Sequence, residues 1–201
     1  LESWEVTKDQ ALIDAIERGL QHPTDKLIKT VNQDGKDLAF LTEKNGEIKL
    51  GGNAVCLLAL VKYSELTGTD RYLPLLEKLA LGIVHMQDQQ SGKFNHVLNY
   101  PSLSIKEPFR IIYYDGEAAF GLMRLYSLTR DACWLEAVEK ALHHLIEADY
   151  WQAHDLWHSY AVNELTRYRP EPTYYDYDTR NIAVYLDLHT NLITTSLTRC
   201  I

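Results

Sequence analysis

The sequence predicts an all-α chain of repeated αα-hairpins, with one small β excursion near residues 26–50. Three observations carry this. The stretch GGNAVCLLALVKYSELTGTDRYLPLLEKLALGI (51–83) recurs as DGEAAFGLMRLYSLTRDACWLEAVEKALHHLI (115–146), with Gly52 matching Gly116, Ala54 matching Ala118 and Glu77-Lys78 matching Glu139-Lys140. Apolar residues in each copy fall at helical spacing, as in Leu57, Leu60 and Val61, then Leu76, Leu79, Ala80 and Ile83. The short turns between helices, TGTD and TRDA, carry a helix stop at Gly68 and capping residues at Asp70 and Asp131.

Taken in order, a helix over about Lys8 to Leu20 supplies half of an early hairpin. The β excursion follows from Asp34-Gly35 and Asn45-Gly46, two turn signals flanked by β-branched and apolar residues. Hairpins are expected at about 52–87, 116–148 and 155–188, all in a single domain spanning 1–201. The third is the weakest copy, and YRPEP makes its turn rigid through Pro170 and Pro172. The tail NLITTSLTRCI reads as losing helical character. Turns inside a unit are short, whereas residues 88–114 read as a long aromatic-rich loop, so every first helix begins on the face that carries it.

Composition excludes several classes. A 201-residue chain that is 46% hydrophobic and 24% charged can bury a core. It has no apolar run long enough for a membrane span and reads as soluble. A net charge of −8 with no Lys/Arg cluster argues against nucleic acid. Cys56, Cys133 and Cys200 share no metal-ligand spacing; Cys56 is expected as a buried thiol, and such usage leans towards the cytoplasm. The start, without Met, suggests a processed chain or an excised domain.

The pattern G-x-A…L-Y-x-L-T-x-D-x-x-[YW]-L-x-x-x-E-K over roughly 50–190 resembles the α/α-toroid of the six-hairpin glycosidase-like superfamily. Its members include unsaturated glucuronyl hydrolases and sugar 2-epimerases; uronyl C5-epimerases, in a related toroid, carry a YDG before a helix like the YYDGEA here. The resemblance implies a partial or incomplete toroid, because this chain has room for only about three and a half hairpins. It would then be a fragment or module of a larger protein, a half ring completed by a dimer partner or additional domain, or an open ring. First helices would line the inside, with a pocket at one mouth formed by Asn53, Tyr114, Asp115, Glu117 and the segment from His154 to Tyr160.

Two constellations fit saccharide chemistry. In YYDGEA, Asp115 or Glu117 serves as general acid or base while Tyr113 or Tyr114 stacks a sugar ring; alternatively Asp115 is an N-cap and Glu117 faces the helix dipole. In YWQAHDLWHSYAVNEL, Trp151, Trp157 and Tyr160 offer apolar faces while His154 and Asp155 offer hydrogen bonds or proton transfer, with His158 a further substrate contact; alternatively Asp155 caps the helix and the aromatics pack between hairpins. His154 and His158 share a helical face, but no third ligand at metal spacing accompanies them. His96 and Asn99 from the long loop are further substrate contacts. Arg110 suits a sugar carboxylate or a pair with Glu107, and Glu164 needs a partner, the lumen or solvent.

No phosphate-cradling glycine loop, G-x-S-x-G elbow or Cys/His pair is recognisable, and no cofactor or metal is expected. The expectation is a carbohydrate-active domain that hydrolyses or epimerises a saccharide by carboxylate chemistry. A non-catalytic toroid module of a cell-envelope polymer biosynthesis enzyme and a helical-repeat interaction scaffold stay open.

Overall fold

The computed structural model describes the backbone of residues 1–198 and the side chains of residues 1–185. The first helical stretch is two helices, α1 (Glu2–Thr7) and α2 (Gln10–His22), because Lys8 turns left-handed and the Asp9 carboxylate caps α2 from the Ala11 N–H at 2.9 Å. A turn through Pro23–Leu27 leads into the hairpin β1 (Ile28–Gln33) and β2 (Lys36–Leu41), paired antiparallel from Ile28↔Leu41 to Gln33↔Lys36. Asp34 and Gly35 both take positive φ, 50° and 79°, as a two-residue hairpin turn demands.

A second sheet was not legible in the sequence. β3 (Glu47–Lys49) pairs with β4 (Val97–Asn99), which pairs with β5 (Ile105–Glu107). The 88–114 connection, read as a loop, therefore contains two strands. Three-residue strands are too short to show alternation, so no periodic signal betrays them.

The three hairpins follow. α3 (Leu50–Thr67) and α4 (Leu73–His85) form the first, α5 (Tyr113–Thr129) and α6 (Ala132–Glu147) the second, and α7 (Leu156–Thr166) and α8 (Pro172–Thr198) the third. Gly68 ends α3 in the left-handed region, and the Asp131 carboxylate caps α6 from the Cys133 N–H at 3.0 Å. Asp70 does not cap α4: Tyr72 holds that position without a side-chain bond, and Asp70 offers only its carbonyl, to the Leu73 N–H at 2.9 Å. The tail keeps its helix to Thr198, while residues 199–201, Cys200 among them, lie outside the described residues. Cys56 is only partly buried.

Packing makes the hairpins an arc. α5 lies between α3 and α7 in an inner row, and α4, α6 and α8 each back their own partner from outside. The inner helices are flanked on several sides, which is why α3 and α5 are apolar around much of their circumference. Leu57, Leu60, Val61, Leu122 and Met123 from this row are fully buried, each stabilising the fold by roughly 1.5–3 kcal/mol. β2 lies on α4, where a Cβ at Gly82 would come within 2.4 Å of the Ala39 carbonyl oxygen. Among the described residues no helix is long and apolar enough to cross a membrane.

Candidate functional site

The N-termini of α3, α5 and α7 open at one end of the inner row, beside the β3–β4–β5 sheet. His96, just before β4, joins them: its carbonyl accepts from the Leu50 N–H at 2.9 Å, and its ring lies under the first turn of α5. The His96 Nδ1 accepts from the backbone N–H of Arg110 at 2.9 Å and of Ile111 at 3.3 Å. That assigns the ring proton to Nε2, which donates to Asp115 Oδ2 at 2.8 Å. Both side chains are buried, so the contact fixes the carboxylate's direction.

Asp115 is thus not the helix cap. Ile112 occupies that position, and Asp115 stands third in the first turn, where the α5 backbone aims it at His96. Glu117 lies beside it, 7% exposed, against a wall of α3 that has no side chain: a Cβ at Gly51 would lie 2.5 Å from Glu117 Oε2. Among the described residues no donor bonds the Glu117 carboxyl. Burial, helped by the charge of Asp155, pushes it up to about 7.

α7 supplies the facing wall. Asp155 caps it, Oδ1 accepting from the Trp157 N–H at 3.3 Å, while Oδ2 is buried 3.6 Å from His158 Nε2, with no hydrogen-bond partner among the described residues. The other nitrogen of the fully buried His158 meets the Tyr177 hydroxyl at 2.9 Å. Burial pushes Asp155 and Tyr177 up and His158 down, against the pull of the neighbouring Asp155 on the imidazole. Gly116 lets these walls meet, since a Cβ there would lie 2.7 Å from both His158 Cδ2 and Trp157 Cβ. Asn181 of α8 pins the cap by accepting from the Asp155 N–H at 3.1 Å and donating to the Asp155 carbonyl at 2.7 Å.

Further down the inner face, Phe120, Trp157 and Tyr160 form an aromatic cluster, with ring centroids 5.6–6.1 Å apart. Tyr160 is half exposed, and an open cleft of about 340 Å³ runs past Phe120 and Trp157 between Leu58, Lys62 and Arg124. Arg124 binds Glu65 at 2.6 Å and Glu164 at 3.1 Å, which supplies the partner a buried Glu164 needs.

The structure therefore brings Asp115, Glu117, Asp155, His96, His158, Tyr114 and Trp157 around one mouth, with Tyr160 on the shelf below. Tyr113 sits edge-on to Tyr114 at 5.5 Å on the outer rim. Four expected site residues are otherwise engaged. Asn53 is fully buried and braces β2, accepting from the Leu41 N–H at 2.7 Å and donating to the Lys49 carbonyl at 2.8 Å. Arg110 spends its guanidinium on Glu47, at 3.1 Å, and on Glu107. Asn99 bonds Ser104 Oγ at 3.1 Å within its own turn. His154 donates from Nδ1 to the Asn181 carbonyl at 2.8 Å, anchoring the turn before α7. Sequence reading missed Tyr177 and Asn181, which stand on an outer helix and reach the mouth only through packing.

No protein-family model matches the chain, and no curated protein matches it in sequence. Its fold is similar to solved structures of low identity. The Lin0763 protein from Listeria innocua aligns at 13% identity and TM-score 0.70, over 92% of this chain and 56% of that one. A family 76 glycoside hydrolase from a bovine Bacteroides thetaiotaomicron strain aligns at 15% and 0.66, over 89% and 42%. A possible member of the GH105 family from Salmonella enterica serovar Paratyphi A aligns at 12% and 0.72, over 90% and 55%. The chain thus spans about half the length of these structures. At such identities the likeness is one of fold: a mostly helical, partial α/α toroid.

Proposed function

We propose that this chain forms part of a carbohydrate-active α/α toroid, acting on a glycosidic bond at the mouth where α3, α5 and α7 begin. One observation carries the reading: Glu117, a buried carboxyl with no hydrogen-bond donor among the described residues, holds its proton to about 7 beside two further carboxylates and above an aromatic shelf. A carboxyl in that state is a proton donor at neutral pH. The glycoside hydrolases among the similar structures support the substrate class.

In this reading Glu117 protonates the leaving oxygen. Asp115, oriented by His96, takes the proton from the attacking water. Burial, with the charge of Asp155 adding to it, keeps Glu117 protonated, and the Trp157 and Tyr160 faces receive the apolar side of a pyranose. The cleft beyond them gives a longer saccharide room to run along the inner row.

The test is release of reducing ends from neutral, amino and uronic oligosaccharides by the wild type and by Glu117→Gln. The expected result is turnover of one class, reduced by about 10²–10⁴-fold in the variant with the helical circular dichroism unchanged. A folded protein that neither binds nor cleaves any of the three would sink the reading.

A further inference from the structure

Two carboxyl groups at the mouth are each backed by a buried imidazole. On the strand side, His96 accepts at Nδ1 and donates from Nε2 to Asp115 Oδ2 at 2.8 Å. Within α7, His158 presents Nε2 to Asp155 Oδ2 at 3.6 Å, while its Nδ1 meets the Tyr177 hydroxyl at 2.9 Å. Both rings are fully buried and Tyr177 nearly so, so their protons are placed by protein neighbours.

Proton counting fixes the direction of the second row. With the ring proton on Nδ1, that nitrogen would donate to the Tyr177 oxygen, and the hydroxyl proton would face no acceptor among the described residues. The Nε2 lone pair would then point at the Asp155 carboxyl oxygen. With the hydroxyl donating to Nδ1, the ring proton sits on Nε2 and faces Asp155 Oδ2, so each proton has an acceptor ahead of it. At 3.6 Å this last step is longer than a hydrogen bond, as catalytic contacts are before a ligand tightens them.

The other titratable groups facing this row are carboxyls and phenols: Asp115 and Glu117 from α5, Asp178 from α8, and Tyr150 from the turn before α7. None of these is a cation. Apart from the backbone N–H groups that Asp155 caps, the Nε2–H is therefore the donor turned towards its carboxylate.

We infer that Tyr177 and His158 are positioning residues for the mouth: the tyrosine hydroxyl holds the imidazole in its Nε2–H form, and the imidazole aims that proton at Asp155. On the function proposed above, on which this role rests, the Asp155 charge so maintained adds to the burial that keeps the proton on Glu117. An outer helix, α8, thereby sets the state of a group at the start of an inner one. Among the described residues Glu117 is the carboxyl of the three with no imidazole behind it, and so the one free to pass its proton to a ligand.

Long-range proton–nitrogen NMR spectra with isotope-labelled histidine read the tautomer, the His158 ring being assigned through its contact with the Tyr177 ring. A neutral ring protonated at Nε2 is expected at about pH 7. In Tyr177→Phe the Nδ1 resonance is expected to move towards that of a nitrogen with no donor. In His158→Phe, carbon NMR titration is expected to show the Asp155 midpoint raised by at least about half a pH unit. A proton on Nδ1, an Nδ1 resonance indifferent to Tyr177→Phe, or an unmoved Asp155 midpoint would each overturn the assignment. The first two readings use only the wild type and the loss of one hydroxyl, so they decide the matter even where His158→Phe does not fold. No saccharide enters these spectra: the expected tautomer in a protein that cleaves none would uphold the positioning row and remove only the reaction proposed above.

Discussion

His96 and Asp115 are joined by a fully buried hydrogen bond, Nε2 to Oδ2 at 2.8 Å, whose direction is set by backbone donors on the opposite edge of the imidazole. The ring lies between Phe109 at 4.8 Å and Tyr114 at 5.4 Å, so it cannot swing to another partner without breaking that packing. It ties the strand side of the mouth to the helix that carries two of its three carboxylates.

Removing the imidazole leaves a buried carboxylate and two backbone N–H groups unsatisfied. His96→Ala is expected to lower stability by about 2–4 kcal/mol, read from the urea midpoint. In a double-mutant cycle with Asp115→Ala, a coupling of at least about 1 kcal/mol is expected. Additive effects would mean that the two residues do not act as a pair.

Glu117 gives stability a pH slope. Its folded value of about 7 lies above the ordinary carboxylate value of the unfolded chain, so between these the folded state holds more protons and stability falls as pH rises. Above about 7 the full cost of the buried charge is present. Glu117→Gln removes this contribution, so the variant should gain roughly 1–3 kcal/mol over the wild type at about pH 8 and nothing at about pH 4. Asp155, also pushed up by burial, adds a slope of the same sign, and His158, pushed down, one of the opposite sign; both groups remain in the variant.

Two helical glycines should respond oppositely to alanine. At Gly116 the new Cβ meets Asp155 Oδ2 at 2.8 Å and His158 Cδ2 at 2.7 Å, forcing α5 from α7 at a cost of about 1–3 kcal/mol. At Gly19, within α2, nothing lies within 4 Å, and Gly19→Ala should stabilise by about 0.5–1 kcal/mol through helix propensity. Thermal melts of both variants check the pair.

Asn53→Ala separates architecture from binding. Its amide closes three backbone hydrogen bonds, to the Leu41 N–H and carbonyl and to the Lys49 carbonyl. Their loss is expected to cost about 2–4 kcal/mol. Saccharide affinity of the folded fraction should not change, and a drop in affinity without a drop in midpoint would return Asn53 to the site.

By itself the sequence determined the hairpins. Period, turn chemistry and self-similarity are local, so Gly68, Asp131 and the paired copies at 51–83 and 115–146 announced the helices and their order. It also drew Asp115, Glu117 and Asp155 into one list, because each stands at or near the start of an inner helix.

Only the tertiary structure decided their partners. His96 reaches Asp115 across 19 positions and Tyr177 reaches His158 across another 19, through contacts that no periodicity records. The same holds for the claims on Arg110 and Asn53, each bound by groups from a strand brought close by folding. Whether a polar side chain serves chemistry or architecture depends on which donors and acceptors burial leaves beside it, and that is a property of packed surfaces rather than of neighbours in the chain.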